Sequence, residues 1–177
     1  MGLTRINVAH NHLTDLPEAI CELVTLEKIE CGDNRVRSVP ISVSKLTRLT
    51  LLSLKNNNLR KLPESLGQCV SLKSLSLNAN DLIAIPESLC YLQNLKRLTL
   101  AANNLQSLPW LMGEMGALKT IDFSSNPLVR LPASLGLLND SLEKIDLFEC
   151  TELIDPPAPI IESGHGRIMV HPHHRTI

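Results

Sequence analysis

The sequence predicts an α/β solenoid: a curved horseshoe of about seven stacked coils, with a parallel sheet on its concave side and short helical or 3-10 turns on its convex side. Three features predict it. An apolar pattern returns every 23 residues, its first half alternates with a period of two, and an asparagine followed by a proline recurs at fixed offsets.

The pattern is LxxLxLxxNxLxxLP, and its first leucine falls at Leu3, Leu26, Leu49, Leu72, Leu95 and Leu118, then at Leu142 after one inserted residue around Asn139 and Asp140. The fourth place is apolar in every unit, at Ile6, Ile29, Leu52, Leu75, Leu98, Ile121 and Ile145. So is the sixth, at Val8, Cys31, Leu54, Leu77, Leu100, Phe123 and Leu147. Strict alternation means a strand whose fourth and sixth places enter a core while the third, fifth and seventh point outward.

Asn11, Asn34, Asn57, Asn80, Asn103 and Asn126 hold the ninth place, where the chain turns inward and leaves backbone groups in need of partners. A stacked amide has the donors and the acceptor to bridge the turn of its own unit and the next, and an unpaired buried group costs about 1–3 kcal/mol. A second apolar pair follows, as at Leu59 and Leu62 or Leu105 and Leu108. Pro17, Pro40, Pro63, Pro86, Pro109 and Pro132 come next; proline ends the extended stretch and suits the first position of a helical turn. In PEAICEL, PESLGQC and PESLCYL the apolar residues stand three apart, the spacing of one or two short turns.

With these residues in place, the chain resembles intracellular leucine-rich-repeat proteins of the 23-residue class with an LPxxLxxL second half. The resemblance spans roughly residues 1–157 and extends to Ras-group scaffold proteins and to bacterial and protozoan repeat proteins. It implies the curved solenoid and says little about function, because partners of every kind are bound on this repeat.

The expected organisation is a solenoid over 1–156 and a C-terminal cap with a flexible His-rich tail over 157–177. The last unit departs from the pattern, with Cys150 at the asparagine place and Glu152 and Asp155 at apolar ones, as a closing coil would. PPAPIIESGHG then offers a short helix with Ile160 and Ile161 to cover the end and Gly164 to stop it. At the other end Leu3 already belongs to the first coil. The expectation is either a piece of a longer protein or an edge, formed by Ile6, Val8, Leu13 and Leu16, that self-association or a partner covers, and the chain is a monomer or weakly self-associating through that edge.

Composition narrows the function. Seventeen basic against 18 acidic residues give no global pull toward phosphate backbones or anionic lipid, and 2% aromatic content leaves few rings for stacking bases, so neither nucleic acid nor membrane is the expected partner. No apolar run reaches the roughly 20 residues of a membrane span, MGLTRINVAH lacks a signal-peptide core, and Ile6 stands where a myristoylation signal wants Ser or Thr. Five cysteines without paired close spacing point to a reducing compartment, and the expected location is the cytoplasm.

No GxxxxGK loop, HExxH helix or GxSxG elbow occurs, and SGHGRI holds only half of a dinucleotide fingerprint. Cys31, Cys69 and Cys150 stand at core or turn places, whereas Cys21 and Cys90 share an outer-turn place that would leave them partly exposed. His165, His171, His173 and His174 lack the carboxylate or thiolate companions of an organised metal site. Asn139-Asp140-Ser141 matches a glycosylation acceptor, relevant only to a secreted chain. The expectation is no enzyme, no cofactor and no metal.

Packing fixes the buried places, so recognition must use the outward ones. The candidate partner-binding residues on the concave face are Arg5, Lys28, Glu30, Leu51, Ser53, Lys55, Asn78, Arg97, Thr99, Asp122, Asp146 and Phe148. The face is charged at its first two units, small and uncharged in the middle, and acidic with one aromatic at the end, where Phe148 is the best anchor. Seven strands about 4.8 Å apart span roughly 30 Å, enough for a standard protein interface. The expected function is protein binding as a scaffold or adaptor in intracellular signalling. The alternative is a recognition segment of a larger kinase, GTPase or ligase whose catalytic part lies elsewhere.

Overall fold

The structure, a computed structural model, describes residues 2–138 and 140–154 and the backbone of the strand Arg167–Met169. The strands are β1 Arg5–Asn7, β2 Lys28–Glu30, β3 Leu51–Ser53, β4 Ser74–Ser76, β5 Arg97–Thr99, β6 Thr120–Asp122, β7 Lys144–Asp146 and β8 Arg167–Met169. All pair in parallel and in chain order, each residue facing its equivalent one repeat on, as Leu52 faces Leu75 and Leu75 faces Leu98. Strand β8 continues the sheet beyond the seven repeats, with Ile168 opposite Ile145. The other residues assigned to the cap and tail, including Pro157–Gly166 and the histidines, lie outside the described residues, as does Asn139 of the sequon.

Among the described residues the convex side carries one α-helical turn, α1 Glu18–Cys21, and five 3-10 turns: Ile41–Lys45, Glu64–Gln68, Glu87–Tyr91, Met112–Glu114 and Ala133–Leu138. Three residues per turn is what the sequence spacing demands, since Leu66 and Cys69, Leu89 and Leu92, and Met112 and Met115 must all face one core. The three-residue closure is made by Leu66 N–H donating to the carbonyl of Pro63 at 3.1 Å and Cys69 N–H to that of Leu66 at 3.1 Å. The prolines do not occupy the first helical position. Pro17, Pro40, Pro63 and Pro86 are extended N-cap residues with ψ of 137–148°, because each still belongs to the straight segment that crosses the coil.

The core is one continuous spine. Leu26, Leu49, Leu72, Leu95 and Leu118 are fully buried, as are Ile29, Leu52, Leu75 and Leu98 one layer on. Each such side chain contributes about 1.5–3 kcal/mol of burial, and only the stack delivers it, since a single coil has no second layer to close on. Convex turns pack closely enough that Gly67 and Gly113 are required: a Cβ there would sit 2.2 Å from the carbonyl oxygen of Ser88 and 1.7 Å from that of Ser134.

Between strand and asparagine, the eighth residue of all seven coils is left-handed. His10, Asp33, Asn56, Ala79, Ala102, Ser125 and Glu149 have φ between 51° and 57°. The twist turns the chain inward while keeping the ladder intact: Ala79 N–H donates to Ala101 at 2.8 Å and Ala102 N–H to Ser124 at 2.8 Å. These residues form the bend at the rim of the face.

The asparagine ladder forms, and it runs backward. Asn57, Asn80, Asn103 and Asn126 are buried; each amide nitrogen donates within its own coil and to the preceding one, as Asn80 does to Leu77 at 3.0 Å and to Leu54 at 2.9 Å. Each amide oxygen accepts from the preceding coil, as Asn80 does from Leu59 N–H at 3.0 Å. The sequence reading had the bridge reaching the next unit; the inward turn instead points the side chain at the coil already laid down. Asn34 makes the same contacts half-buried, whereas Asn11 is exposed and donates only within its coil, to Val8 and Ala9 at 3.0 Å. Cys150 takes over at the last coil, its Sγ donating to Phe123 at 3.3 Å.

Candidate functional site

The outward strand residues form one face because the parallel register is unbroken from β1 to β7. Its first part carries Arg5, Lys28 and Glu30; Asn7 reaches Glu30 at 3.5 Å across the first strand gap. At its rim Asp33 accepts from Asn56 Nδ2 at 2.6 Å and lies 3.6 Å from His10 and 3.7 Å from Lys55. The Asn56 hydrogen bond, then the nearby cations against some desolvation, holds the Asp33 carboxyl below its ordinary range. Lys55 is therefore partly committed to its own rim.

The middle is small and uncharged. Leu51, Ser53, Ser74, Ser76, Asn78 and Thr99 are half-buried between neighbouring strands, and the Asn78 amide oxygen is buried with no hydrogen-bond partner among the described residues. Beyond them Arg97 is exposed and Asp122 stands on the adjacent strand, diagonally across from it, yet no ion pair joins them or holds Arg97 elsewhere among the described residues.

The acidic end is pre-set by local geometry. Asp122 Oδ1 accepts from Ser124 N–H at 3.0 Å and Oγ at 2.7 Å, and Asp146 Oδ1 accepts from Phe148 N–H at 3.1 Å while its other oxygen meets Lys144 at 3.2 Å. These turns fix the carboxylates, and no ion pair among the described residues involves Asp122. Phe148 is 43% exposed, as an anchor requires.

The cysteines are placed differently from the expectation. All five are free and buried, including Cys21 and Cys90, which sit inward between convex turns where Gly67 and Gly113 stand in other coils. Burial pushes every one of these thiols up, Cys69 to about 11 and Cys90 to about 12, so the thiolate that nucleophilic chemistry needs is disfavoured at each. Among the described residues no three His, Cys, Asp or Glu side chains are grouped to hold a metal ion, and no helix is long and apolar enough to cross a membrane.

Coils of one 23-residue period, a parallel concave sheet and an inward asparagine ladder are the architecture of a leucine-rich-repeat solenoid. Residues 24–82 match the leucine rich repeat family model. Among solved structures, a leucine-rich-repeat protein of Leptospira interrogans aligns over 94% of this chain and 56% of its own, with 24% identity and a TM-score of 0.69. The leucine-rich-repeat domain of the type III effector XopL aligns over 93% of this chain and 57% of its own, with 27% identity and a TM-score of 0.79. The plant peptide hormone receptor RGFR1, solved in complex with RGF2, aligns over 88% of this chain and 28% of its own, with 23% identity and a TM-score of 0.76. The chain thus spans little more than half the length of two of these neighbours and under a third of the other. No curated protein sequence matches it.

Proposed function

We propose that this chain is a protein-binding module whose concave face, from Leu51 to Phe148, grips a segment of a partner protein. The observation that carries the reading is the Arg97–Asp122 diagonal: two charges side by side at the edge of a small-residue floor, with neither used to neutralise the other. Ser53, Ser76 and Thr99 let a partner backbone approach the sheet, and the charges set its register. The Asn78 amide oxygen, lacking a partner on that floor, supports the same reading. An open face of this kind encloses little of a small ligand, which favours a macromolecule.

The role is that of a scaffold or adaptor in intracellular signalling. Five free, buried cysteines support a reducing compartment such as the cytoplasm. The test is pulldown with Arg97→Glu and Asp122→Lys. Each variant should lose the partners captured by the wild-type chain; the melting temperature should stay put for Arg97→Glu, whereas Asp122→Lys also gives up the two Ser124 hydrogen bonds, and full retention by both variants would remove the concave face from the account.

A further inference from the structure

We propose a second recognition site on the flank where the chain leaves the sheet: Arg35, Arg37 and Arg60 form a receptor for a phosphorylated side chain of a partner protein. It does not depend on the concave face. The three arginines line a depression of about 450 Å³, with Asn58 and Asp81 completing its wall.

The repeat brings them together. Arg35 and Arg37 are two residues apart on the extended crossing segment of the second coil, so they emerge on the same side, no more than about 7 Å apart along the chain. Arg60 holds the place equivalent to Arg37 one repeat on, and the coils are bonded there, Asn58 N–H donating to Val36 at 2.9 Å. That bond sets a neighbour spacing of about 5 Å. Three forks thus converge on one spot from two coils.

Four surface lysines are matched, Lys45 with Glu22, Lys55 with Asp33, Lys119 with Glu143 and Lys144 with Asp146. No carboxylate among the described residues lies within ion-pair distance of Arg35, Arg37 or Arg60, not even Asp81 in the same wall. Lysines would serve a diffuse positive surface equally well, whereas arginines add planar pairs of N–H donors. A phosphoryl group offers three terminal oxygens and a charge near −2, which matches three forks better than a carboxylate with two oxygens and one charge.

The test is calorimetric titration of the whole chain with a short phosphoserine peptide, its glutamate counterpart, its unphosphorylated form and inorganic phosphate. The phosphopeptide should bind on the order of tenfold more tightly than the glutamate peptide, and Arg37→Gln with Arg60→Gln should weaken it on the order of tenfold or more. Arg37→Lys with Arg60→Lys, which keeps the charge, should recover only part of the loss. Lys73→Gln with Lys96→Gln, the same charge change at the opposite flank, should alter it less than about twofold. Equal binding of the glutamate peptide, full recovery with lysine, equal loss at both flanks, or no phosphopeptide binding would each overturn the site. Binding of inorganic phosphate as tight as that of the peptide would remove the protein partner from the proposal.

Discussion

Asn103 Nδ2 donates to the backbone carbonyl of Leu77, one full coil back, at 3.0 Å, while its Oδ1 accepts from Leu82 N–H at 3.0 Å. The same amide nitrogen donates to Leu100 at 2.9 Å, so one side chain closes its own turn and bolts it to the coil before. Asn103→Ala strands several buried groups at once and should cost about 3 kcal/mol in chemical denaturation. Asn11→Ala, at an exposed rung with bonds only inside its coil, should cost less than about 1 kcal/mol.

Ala102 is left-handed, with φ of 52°. The strain of that conformation is roughly 1–2 kcal/mol for an L-residue, and glycine relieves it at an entropic cost of about 0.5–1 kcal/mol. Ala102→Gly should therefore raise the midpoint of unfolding slightly, a net gain of about 0.5–1 kcal/mol. A lower midpoint would contradict the left-handed bend.

Gly67 and Gly116 separate space from conformation on the convex side. A methyl at Gly67 meets the Ser88 carbonyl, and Gly67→Ala should cost about 1–3 kcal/mol, whereas one at Gly116 meets nothing within 4 Å. Gly116→Ala should fall within about 0.5 kcal/mol of wild type by urea unfolding.

Asp33 gives a pH signature. Its carboxyl is held below the ordinary range chiefly by Asn56, so the stability it adds is present above the unfolded-state pKa near 3.9 and is lost as pH falls through the lower folded-state value. Asp33→Asn should be less stable than wild type at neutral pH, and the gap should close on acidification below about pH 4 in parallel denaturant series. A gap that persists in acid would point to packing instead.

Most of the fold was legible because repetition exposes it: one period placed strands β1 to β7, the core layers and the asparagines before the structure did, whereas β8, beyond the last repeat, follows no such pattern. Several features were hidden for physical reasons. Ala79 and Ala102 have no preference for left-handed backbone, so the bend at the eighth place is imposed by the inter-coil ladder and leaves no mark in those residues. The backward reach of the asparagines depends on the handedness of that bend. Cys21 and Cys90 are buried because neighbouring turns close over them, a relation between coils and not within one. On the candidate face, Arg97, Asp122 and Phe148 were readable as outward residues, but the Asx-type turn that orients Asp122 was not. The flank arginines carried a signal too, a third alternation just after the asparagine, overlooked because it lies beyond the strand.

The central claim, that the concave side is the gripping side, is tested most directly by site-specific photocrosslinking. A photoreactive residue at Ser76, on the floor of the face, should crosslink the captured partner, and the crosslink should vanish with Arg97→Glu. The same probe at the exposed Trp110 on the convex side should yield none. Crosslinks from Trp110 alone, or a Ser76 crosslink indifferent to Arg97, would contradict it.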